Sequence, residues 1–240
     1  MPLETIKSVF SEAKTVGVKS IALIGEGENT INPALYPALE YSSEIDLDVS
    51  LATHGASIKQ EHYETLLKSL SWLRINISAS NPESYQYVHQ RTWFDKVVTN
   101  TTGLIKVREN NDIRLNNGEV CTLGYQMVLT KRNFDDVVPL AKLAVDLGLD
   151  YLVIKACSDT PDGQLDAPAS EYLEYQDVFD EAERCSNERT KIIVRWEKLG
   201  NEGNKSYQKC YGTRFIIAIS GNGNVFPCGH WFDIEKERFL

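Results

Sequence analysis

A glycine-rich acidic loop is the first feature whose residue types could do chemistry. It is the segment 25–30, directly after the apolar run 20–24. Its members are Gly25, Glu26, Gly27, Glu28, Asn29 and Thr30. Ligands of parallel α/β folds bind at the carboxyl ends of strands, and glycines let the backbone approach a ligand closely. The loop lacks the G-K-[ST] of a phosphate-binding loop, and its two carboxylates would repel phosphate. It therefore suits a cationic group such as an ammonium, with a plain strand-to-helix turn as the alternative.

Three further polar residues follow or end apolar runs. Ser78 offers a hydroxyl to a polar ligand, or alternatively helps to cap the helix that begins near Pro82. Lys155 ends another apolar run and is likewise a candidate binding residue. The alternative is that its side chain snorkels at the rim of a barrel, with the charged group in water. His54 could be an acid or base, and alternatively is only a polar residue of a turn. These positions are candidate binding residues at strand ends.

The cysteines do not form a compact set. They are Cys121, Cys157, Cys185, Cys210 and Cys228, and no two lie at a C-x-x-C distance. Their odd number and the length of the chain do not fit a secreted disulfide framework, which predicts a reduced, cytoplasmic protein. Cys210 and Cys228 flank a hairpin signal, so their sulfurs could approach each other, and with His230 they give a modest metal signal. The alternative is two unrelated cysteines at a hairpin, and the other three are expected to be ordinary packed residues.

Length and composition exclude several classes of protein. At 240 residues, one domain is the default. The apolar runs are short, so no segment is expected to span a membrane. No charged start followed by an apolar stretch occurs near Met1, so no signal peptide is predicted there. The net charge of −9 argues against binding of a nucleic-acid backbone, since that needs a basic face.

Apolar periodicity places strands and helices in alternation. The predicted strands are 20–24, 46–53, 72–78, 120–129, 151–156 and 191–196. The predicted helices are 3–16, a short one after Pro33, 57–70, one from near Pro82, 94–105, 137–147 with Asp136 as its N-cap, and 170–184. Strands that are apolar on both faces and separated by helices predict an α/β fold with a parallel sheet. Six strands are too few for an eight-stranded barrel, so an open, curved part-barrel is favoured over a flat doubly wound sheet.

The character of the chain changes near residue 201. A polar loop at 201–206 precedes a Gly-Asn-Gly turn at 221–223 that has apolar runs on both sides, which is a strong hairpin signal. The predicted hairpin strands are 214–220 and 224–226. The expected domains are therefore an α/β body, residues 1–200, and a small C-terminal appendage with a β-hairpin, residues 201–240.

The order of these segments resembles that of the radical SAM (S-adenosylmethionine) enzymes. The segment 25–33 is similar to the G-G-G-E-P-T-x-x-P loop that follows the second strand of that family. It differs in two places, with Glu26 in place of a glycine and Asn29 in place of the proline. The Thr-His-Gly at 53–55 resembles the T-N-G that follows the third strand, with histidine in place of asparagine.

Later segments extend the resemblance. Residues 74–83 resemble the fourth strand and residues 154–156 the sixth. Cys210, the hairpin and the Val-Phe-Pro-Cys at 225–228 resemble the opening of an auxiliary-cluster extension of the SPASM or twitch type.

The resemblance implies a partial (βα)6 TIM-like barrel of parallel strands, without its first strand. It implies that the segment 25–30 meets the amino end of SAM, that Ser78 lies near the ribose, and that backbone groups around Lys155 flank the adenine. It also implies that Cys210 and Cys228 are ligands of an auxiliary iron–sulfur cluster.

The C-x3-C-x2-C loop of the family, which holds the [4Fe–4S] cluster that binds SAM, has no counterpart in these residues. The chain is therefore expected to be cut at both ends and, as written, not to cleave SAM. The full enzyme is expected to reduce SAM to a 5′-deoxyadenosyl radical that takes hydrogen from a substrate, with a peptide as the leading class. Its expected reductant is a protein such as flavodoxin or ferredoxin. The alternatives are a catalytically inactive SAM-binding or partner-binding pseudo-enzyme, and a zinc-stabilised α/β protein that uses Cys210, Cys228 and His230.

Overall fold

Six parallel strands alternate with helices in a computed structural model that describes residues 1–25, 27–157, 170–196 and 207–229. The strands are β1 (Ser20–Leu23), β2 (Asp48–Thr53), β3 (Leu70–Asn76), β4 (Thr122–Leu129), β5 (Tyr151–Ala156) and β6 (Lys191–Val194), with β7 (Ala218–Ile219) and β8 (Val225–Phe226) in a separate hairpin. The helices are α1 (Leu3–Thr15), α2 (Leu35–Glu44), α3 (Tyr63–Ser69), α4 (Pro82–His89), α5 (Phe94–Asn110), α6 (Val137–Leu147) and α7 (Gln176–Arg184). In these ranges, none of the helices combines the length and the hydropathy that crossing a bilayer needs.

Apolar spacing and a terminal glycine explain the bounds of α6. Val137, Leu140, Ala141 and Ala144 are all buried, and their spacing of three or four residues puts them on one face of a helix. Gly148 ends the helix in the left-handed conformation at φ 72°, which glycine adopts without steric cost. The observed bounds equal the predicted ones.

The six-stranded sheet has the topology of a part-barrel. Its strand order is the order along the chain, and every neighbouring pair is parallel. Connections between parallel strands are nearly always right-handed, so helices between strands that advance in one direction lie on one face of the sheet. The predicted partial TIM-like barrel of parallel strands is confirmed. We call the other face of the sheet, which carries none of the described helices, the lumen face.

Burial along β3 separates the two faces. Leu73 and Ile75 are buried, whereas Trp72, Arg74 and Asn76 are only partly buried. Successive side chains of a strand point to opposite faces, so the first two pack against the helices and the other three lie on the lumen face. The apolar core therefore lies between the sheet and the helices.

The boundary between α3 and β3 differs from the prediction. The helix predicted from residue 57 begins as a 3-10 turn, Gln60–His62, and becomes α-helical only at Tyr63. The strand predicted from residue 72 begins at Leu70, because Leu70 already pairs with Val49 of β2. The chain thus passes from helix to strand without a loop.

The predicted C-terminal hairpin is present but shorter. β7 and β8 pair antiparallel, and the turn between them contains Gly223 at φ 89°. Arg214, the predicted start of the first strand, instead ends a 3-10 turn that is closed by a hydrogen bond from Phe215 N–H to the carbonyl of Gly212 (2.9 Å). The first strand of the hairpin is therefore confined to β7.

Candidate functional site

The carboxylate of Glu28 ties the loop after β1 to the end of β2. Its Oε1 accepts hydrogen bonds from the N–H of Thr30 (3.1 Å), the hydroxyl of Thr30 (2.5 Å) and the hydroxyl of Thr53 (2.5 Å). Its Oε2 accepts the N–H of His54 (2.9 Å) and lies 3.3 Å from Nε2 of the His54 ring. We call these contacts the Glu28 latch. A carboxylate has about four lone-pair positions, so the latch leaves little capacity to accept from a ligand.

The latch also keeps Glu28 ionised. The side chain is 10% exposed, and this burial acts to raise the pKa of the carboxyl. Hydrogen bonds from Thr30, Thr53 and His54, together with the electrostatic effect of the nearby His54 ring, outweigh the burial, so the pKa of Glu28 lies below its ordinary value. Glu28 is therefore a charged residue that shapes the loop at neutral pH.

The glycines leave the backbone of the same loop open. Gly27 has a φ of 88°, and a Cβ added there would meet no atom within 4 Å. Gly25 is exposed, and a Cβ added there would lie 2.9 Å from Oδ1 of Asn29. Asn29 in turn donates to one carbonyl of β1 (3.3 Å) and one of β2 (3.4 Å). A ligand at this loop therefore meets exposed backbone at the two glycines, and the candidate residue Glu26 lies outside the described residues.

His54 extends the latch to the turn after β2. Its Nδ1 accepts the N–H of Ala56 (3.0 Å), so the proton of the neutral ring is on Nε2, the atom that faces Glu28. The ring centre lies 5.2 Å from that of Trp93, and the side chain is 29% exposed. His54 is thus a member of the latch, and one side of its ring is open at the carboxyl ends of the strands, which we call the mouth.

Ser78 follows β3 at the mouth and is buried. Its N–H donates to Nε2 of His89 (2.9 Å), its hydroxyl accepts the N–H of Val128 (3.1 Å), and its carbonyl accepts from Nδ2 of Asn133 (2.9 Å). The helix that follows is capped by Asn81, whose side chain accepts a helix N–H (3.0 Å). The alternative in which the serines cap that helix is therefore wrong.

Asp136 joins the loop after β3 to the loop after β4. Its carboxylate is buried, and one oxygen accepts from Ser80 N–H (2.7 Å), the Ser80 hydroxyl (2.5 Å) and the Ser84 hydroxyl (2.7 Å). It makes no side-chain hydrogen bond to its own helix. Asp136 is the N-cap residue of α6, as predicted, but its side chain makes no capping hydrogen bond, and its Oδ1 accepts from the two serines instead.

Lys155 lies on β5 beside Val128 of β4 and is partly buried. The ends of these two strands are joined by Tyr172, whose hydroxyl donates to the carbonyl of Leu129 (3.2 Å) and accepts the N–H of Cys157 (2.9 Å). Lys155 is therefore at the same mouth as the Glu28 latch, two strands beyond β3.

The two candidate metal ligands lie beside the hairpin. Cys210 is exposed, and its Sγ accepts the N–H of Gly212 (3.4 Å). Cys228 follows β8 and is partly buried. No group of three or more His, Cys, Asp or Glu residues that could hold a metal occurs in the described ranges, and His230 lies outside them. Cys210 therefore precedes the hairpin and Cys228 follows it, and the described residues do not complete a set of metal ligands with them.

Two side chains that hold the loop after β3 at Ser78, those of His89 and Asn133, were not predicted as site residues. His89 accepts from the backbone as a neutral ring, and burial, together with the charge of His54, lowers its pKa. Asn133 donates to Ser78 and to β4, and its Oδ1 accepts the N–H of Thr130 (2.9 Å). Of these contacts, the one between Asn133 and Thr130 joins the residues nearest in sequence. A Thr-x-x-Asn turn was therefore the one sequence signal that could have identified Asn133.

The sequence is similar to that of curated proteins over part of its length. No family model matches the chain. A probable GTP 3′,8-cyclase from Saccharolobus islandicus is 26% identical over 155 residues, which are 62% of this chain and 45% of that protein. The chain thus spans less than half the length of this curated relative.

Solved structures share the fold over almost the whole chain. SuiB from Streptococcus suis, bound to S-adenosylmethionine, has a TM-score of 0.74 at 14% identity, and the match covers 100% of this chain and 55% of SuiB. The enzyme anSMEcpe with bound AdoMet has a TM-score of 0.65 at 15% identity, over 99% of this chain and 68% of the other. At 14–15% identity, these matches show a shared fold, a part-barrel of parallel strands and helices. Within this fold, the candidate site is the mouth that carries the Glu28 latch, Ser78 and Lys155.

Proposed function

We propose that the mouth binds SAM and that the chain is the body of a radical SAM enzyme that acts on a peptide. Residues 1–200 form the SAM-binding body in this proposal, and residues 201–240 begin the extension. The peptide is supported by two relatives in fold, since SuiB is also solved with its precursor peptide SuiA and anSMEcpe with the peptide Kp18Cys.

The observation that carries SAM binding is the form of the loop after β1. The latch saturates the Glu28 carboxylate, so an ammonium group here meets the backbone carbonyls beside Gly25 and Gly27, with an ionised carboxylate behind them. Unit charges a few ångströms apart in a partly buried site attract by several kcal/mol at about ε 20. Ser78 and the end of β5 at Lys155 offer further polar groups along the same edge for a ribose and an adenine.

The residues of the chain act by fixing this edge before a ligand binds. The Glu28 latch joins β1 to β2, Asp136 joins the loops after β3 and β4, and Tyr172 joins β4 to β5. Residues that are fixed before a ligand binds lose little conformational entropy when it binds. When bound and reduced, SAM supplies the group that takes a hydrogen atom from a substrate.

The described residues do not fit a [4Fe–4S] cluster. Such a cluster is held by cysteine thiolates, and no three cysteines lie together in the described ranges. Cys121 is 1% exposed, and burial raises the pKa of its thiol to about 12, which disfavours a thiolate. We derive no step through a cluster held by these residues.

A matched pair of glycine variants tests SAM binding. Gly27 and Gly118 have φ of 88° and 83°, and a Cβ added at either would meet no atom within 4 Å. Alanine therefore costs a similar strain, about 1 kcal/mol, at both positions, but Gly118 precedes β4 at the opposite end of the sheet. Equilibrium dialysis with radiolabelled SAM should show saturable binding by the chain, about tenfold weaker in Gly27→Ala and unchanged in Gly118→Ala. Equal effects of the two variants, or no saturable binding by the wild type, would contradict the proposal.

The chemistry is tested separately. After anaerobic reconstitution of the full-length protein with iron and sulfide, and reduction by flavodoxin, SAM cleavage should accelerate when a peptide substrate is added, and the peptide should change in mass. Stoichiometric zinc without iron in the purified protein would contradict radical chemistry and support the zinc alternative. SAM binding without iron would support the pseudo-enzyme.

A further inference from the structure

Arg74 is a partly buried cation on the lumen face of β3. Its Nε is buried and has no hydrogen-bond partner, and in the described part of the chain no carboxylate lies within ion-pair distance of its guanidinium. The buried guanidinium of Arg108, by contrast, makes two hydrogen bonds to Asp150 (2.5 and 3.0 Å). A partly buried charge without a partner is costly, so Arg74 has unused capacity to bind an anion.

Two aromatic residues position this guanidinium. Its Cζ lies 5.0 Å from the ring centre of Trp72, on the same strand and face. Across the sheet, Arg74 pairs in register with Gly124, and Gly124 pairs with Tyr151. A Cβ added at Gly124 would overlap the ring of Tyr151, so that ring lies over the glycine. Arg74 and Tyr151 are thus neighbours across a residue that has no side chain.

Both groups are donors at neutral pH. Burial lowers the pKa of Arg74, and the proximity of Tyr151 only partly opposes this. Burial raises the pKa of Tyr151, and the charge of Arg74 only partly opposes that rise. The guanidinium remains charged because arginine keeps its proton at neutral pH even when burial lowers its pKa, and the phenol remains protonated because the pKa of Tyr151 is raised.

We propose that Arg74 and Tyr151 form a carboxylate-binding site in the lumen of the part-barrel. The planar fork of the guanidinium matches the two oxygens of a carboxylate, and the hydroxyl of Tyr151 supplies a further donor. The cation–π contact with the ring of Trp72 restricts the position of the guanidinium. Arg74 precedes Ser78 by four residues, about 13 Å along an extended strand, so this site lies below the mouth and does not depend on SAM binding there.

The test is a titration of the 15N-labelled chain with sodium acetate. It follows the Nε–H signal of Arg74, which is identified by its loss in Arg74→Lys and is retained in the control Arg114→Lys, an exposed arginine paired with Asp112 (2.8 Å). The signal should move saturably with acetate. It should not move with acetamide, nor with sodium chloride at the same ionic strength. An equal shift with chloride, or none with acetate, would overturn the proposal.

Two further variants separate binding from folding. Tyr151→Phe removes one donor and should weaken acetate binding about fivefold. Arg74→Met removes the charge but keeps an apolar stem, so the chain should remain folded while acetate no longer raises its thermal unfolding temperature. If acetate raises the thermal unfolding temperature of Arg74→Met as much as that of the wild type, the proposal is overturned.

A second arm identifies the source of the carboxylate. Tri-alanine with a free C-terminus is compared with its C-terminal amide in the same titration. A shift with the free peptide alone assigns the site to a peptide carboxylate, and a shift with acetate alone assigns it to a small free anion. Equal shifts with the amide and the free peptide would contradict carboxylate recognition.

Discussion

Replacing Glu28 by glutamine should loosen the loop after β1, because an amide nitrogen then takes the place of one acceptor oxygen. With Oε1 still accepting from Thr30 and Thr53, the new NH2 group faces the N–H of His54, which now donates to Oε2 at 2.9 Å. One charge-assisted hydrogen bond is lost and the others become neutral. Hydrogen bonds to charged groups contribute about 1.5–3 kcal/mol each, so we expect Glu28→Gln to lower the free energy of unfolding by about 3 kcal/mol.

Urea denaturation measures this loss. With an m-value of about 3 kcal/mol/M, the midpoint should fall by about 1 M. Glu61→Gln is the matched control, because Glu61 also lies beside a histidine, with its Oε1 3.4 Å from Nε2 of His62, but is 66% exposed. Its effect should stay within about 0.5 kcal/mol.

The pH dependence gives a second signature of the latch. The pKa of Glu28 is lower in the folded chain than its ordinary value of 4.5. The unfolded state therefore binds the proton first, and the stability from Glu28 is present above about pH 4.5 and is lost as the pH falls through the folded pKa. The difference in the free energy of unfolding between the wild type and Glu28→Gln should have its full size near pH 7 and should become smaller below about pH 4. Equal midpoints near pH 7, or a gap that grows in acid, would refute the latch.

The remaining predictions concern packing away from the mouth. Asp150→Ala should lower the free energy of unfolding by about 3 kcal/mol, measured in urea, since it leaves the guanidinium of Arg108, which is 7% exposed, unpaired; a loss below about 1 kcal/mol would contradict this. Gly148→Ala should lower stability by about 1–2 kcal/mol by calorimetry, because φ is 72° and the new Cβ would lie 2.9 Å from an arginine side chain; an unchanged Tm would argue against strain there. Treatment of the native chain with a thiol reagent, read by mass spectrometry, should label the exposed Cys210 and spare Cys121, because burial raises the pKa of the Cys121 thiol to about 12. Early labelling of Cys121 would show that the segment just before β4 opens.

Local patterns predicted most of the fold. The apolar stripe of α6 and Gly148 determine that helix within the chain segment itself, so its bounds could be predicted. The alternation of strands and helices likewise predicted the parallel part-barrel. The start of β3 could not be predicted in this way, because it depends on pairing of Leu70 with Val49, which lies on another strand.

The candidate site was predicted by position more than by contact. The sequence identified the loop after β1 as acidic, but not that the Glu28 carboxylate turns to Thr53 and His54. The partners of Asp136 lie more than fifty residues away, at Ser80 and Ser84, and no local propensity encodes them. The sequence therefore predicted Asp136 as the N-cap residue of α6 but not the partners of its carboxylate.

The most direct test of the central claim is a titration of the 15N-labelled chain with SAM, followed by the backbone amide signals. Binding at the mouth predicts saturable shifts at Gly25, Gly27, His54 and Ser78, and none at Gly118 on the opposite edge of the sheet. Shifts confined to that opposite edge or to the hairpin, or no shifts at saturating SAM, would contradict the account.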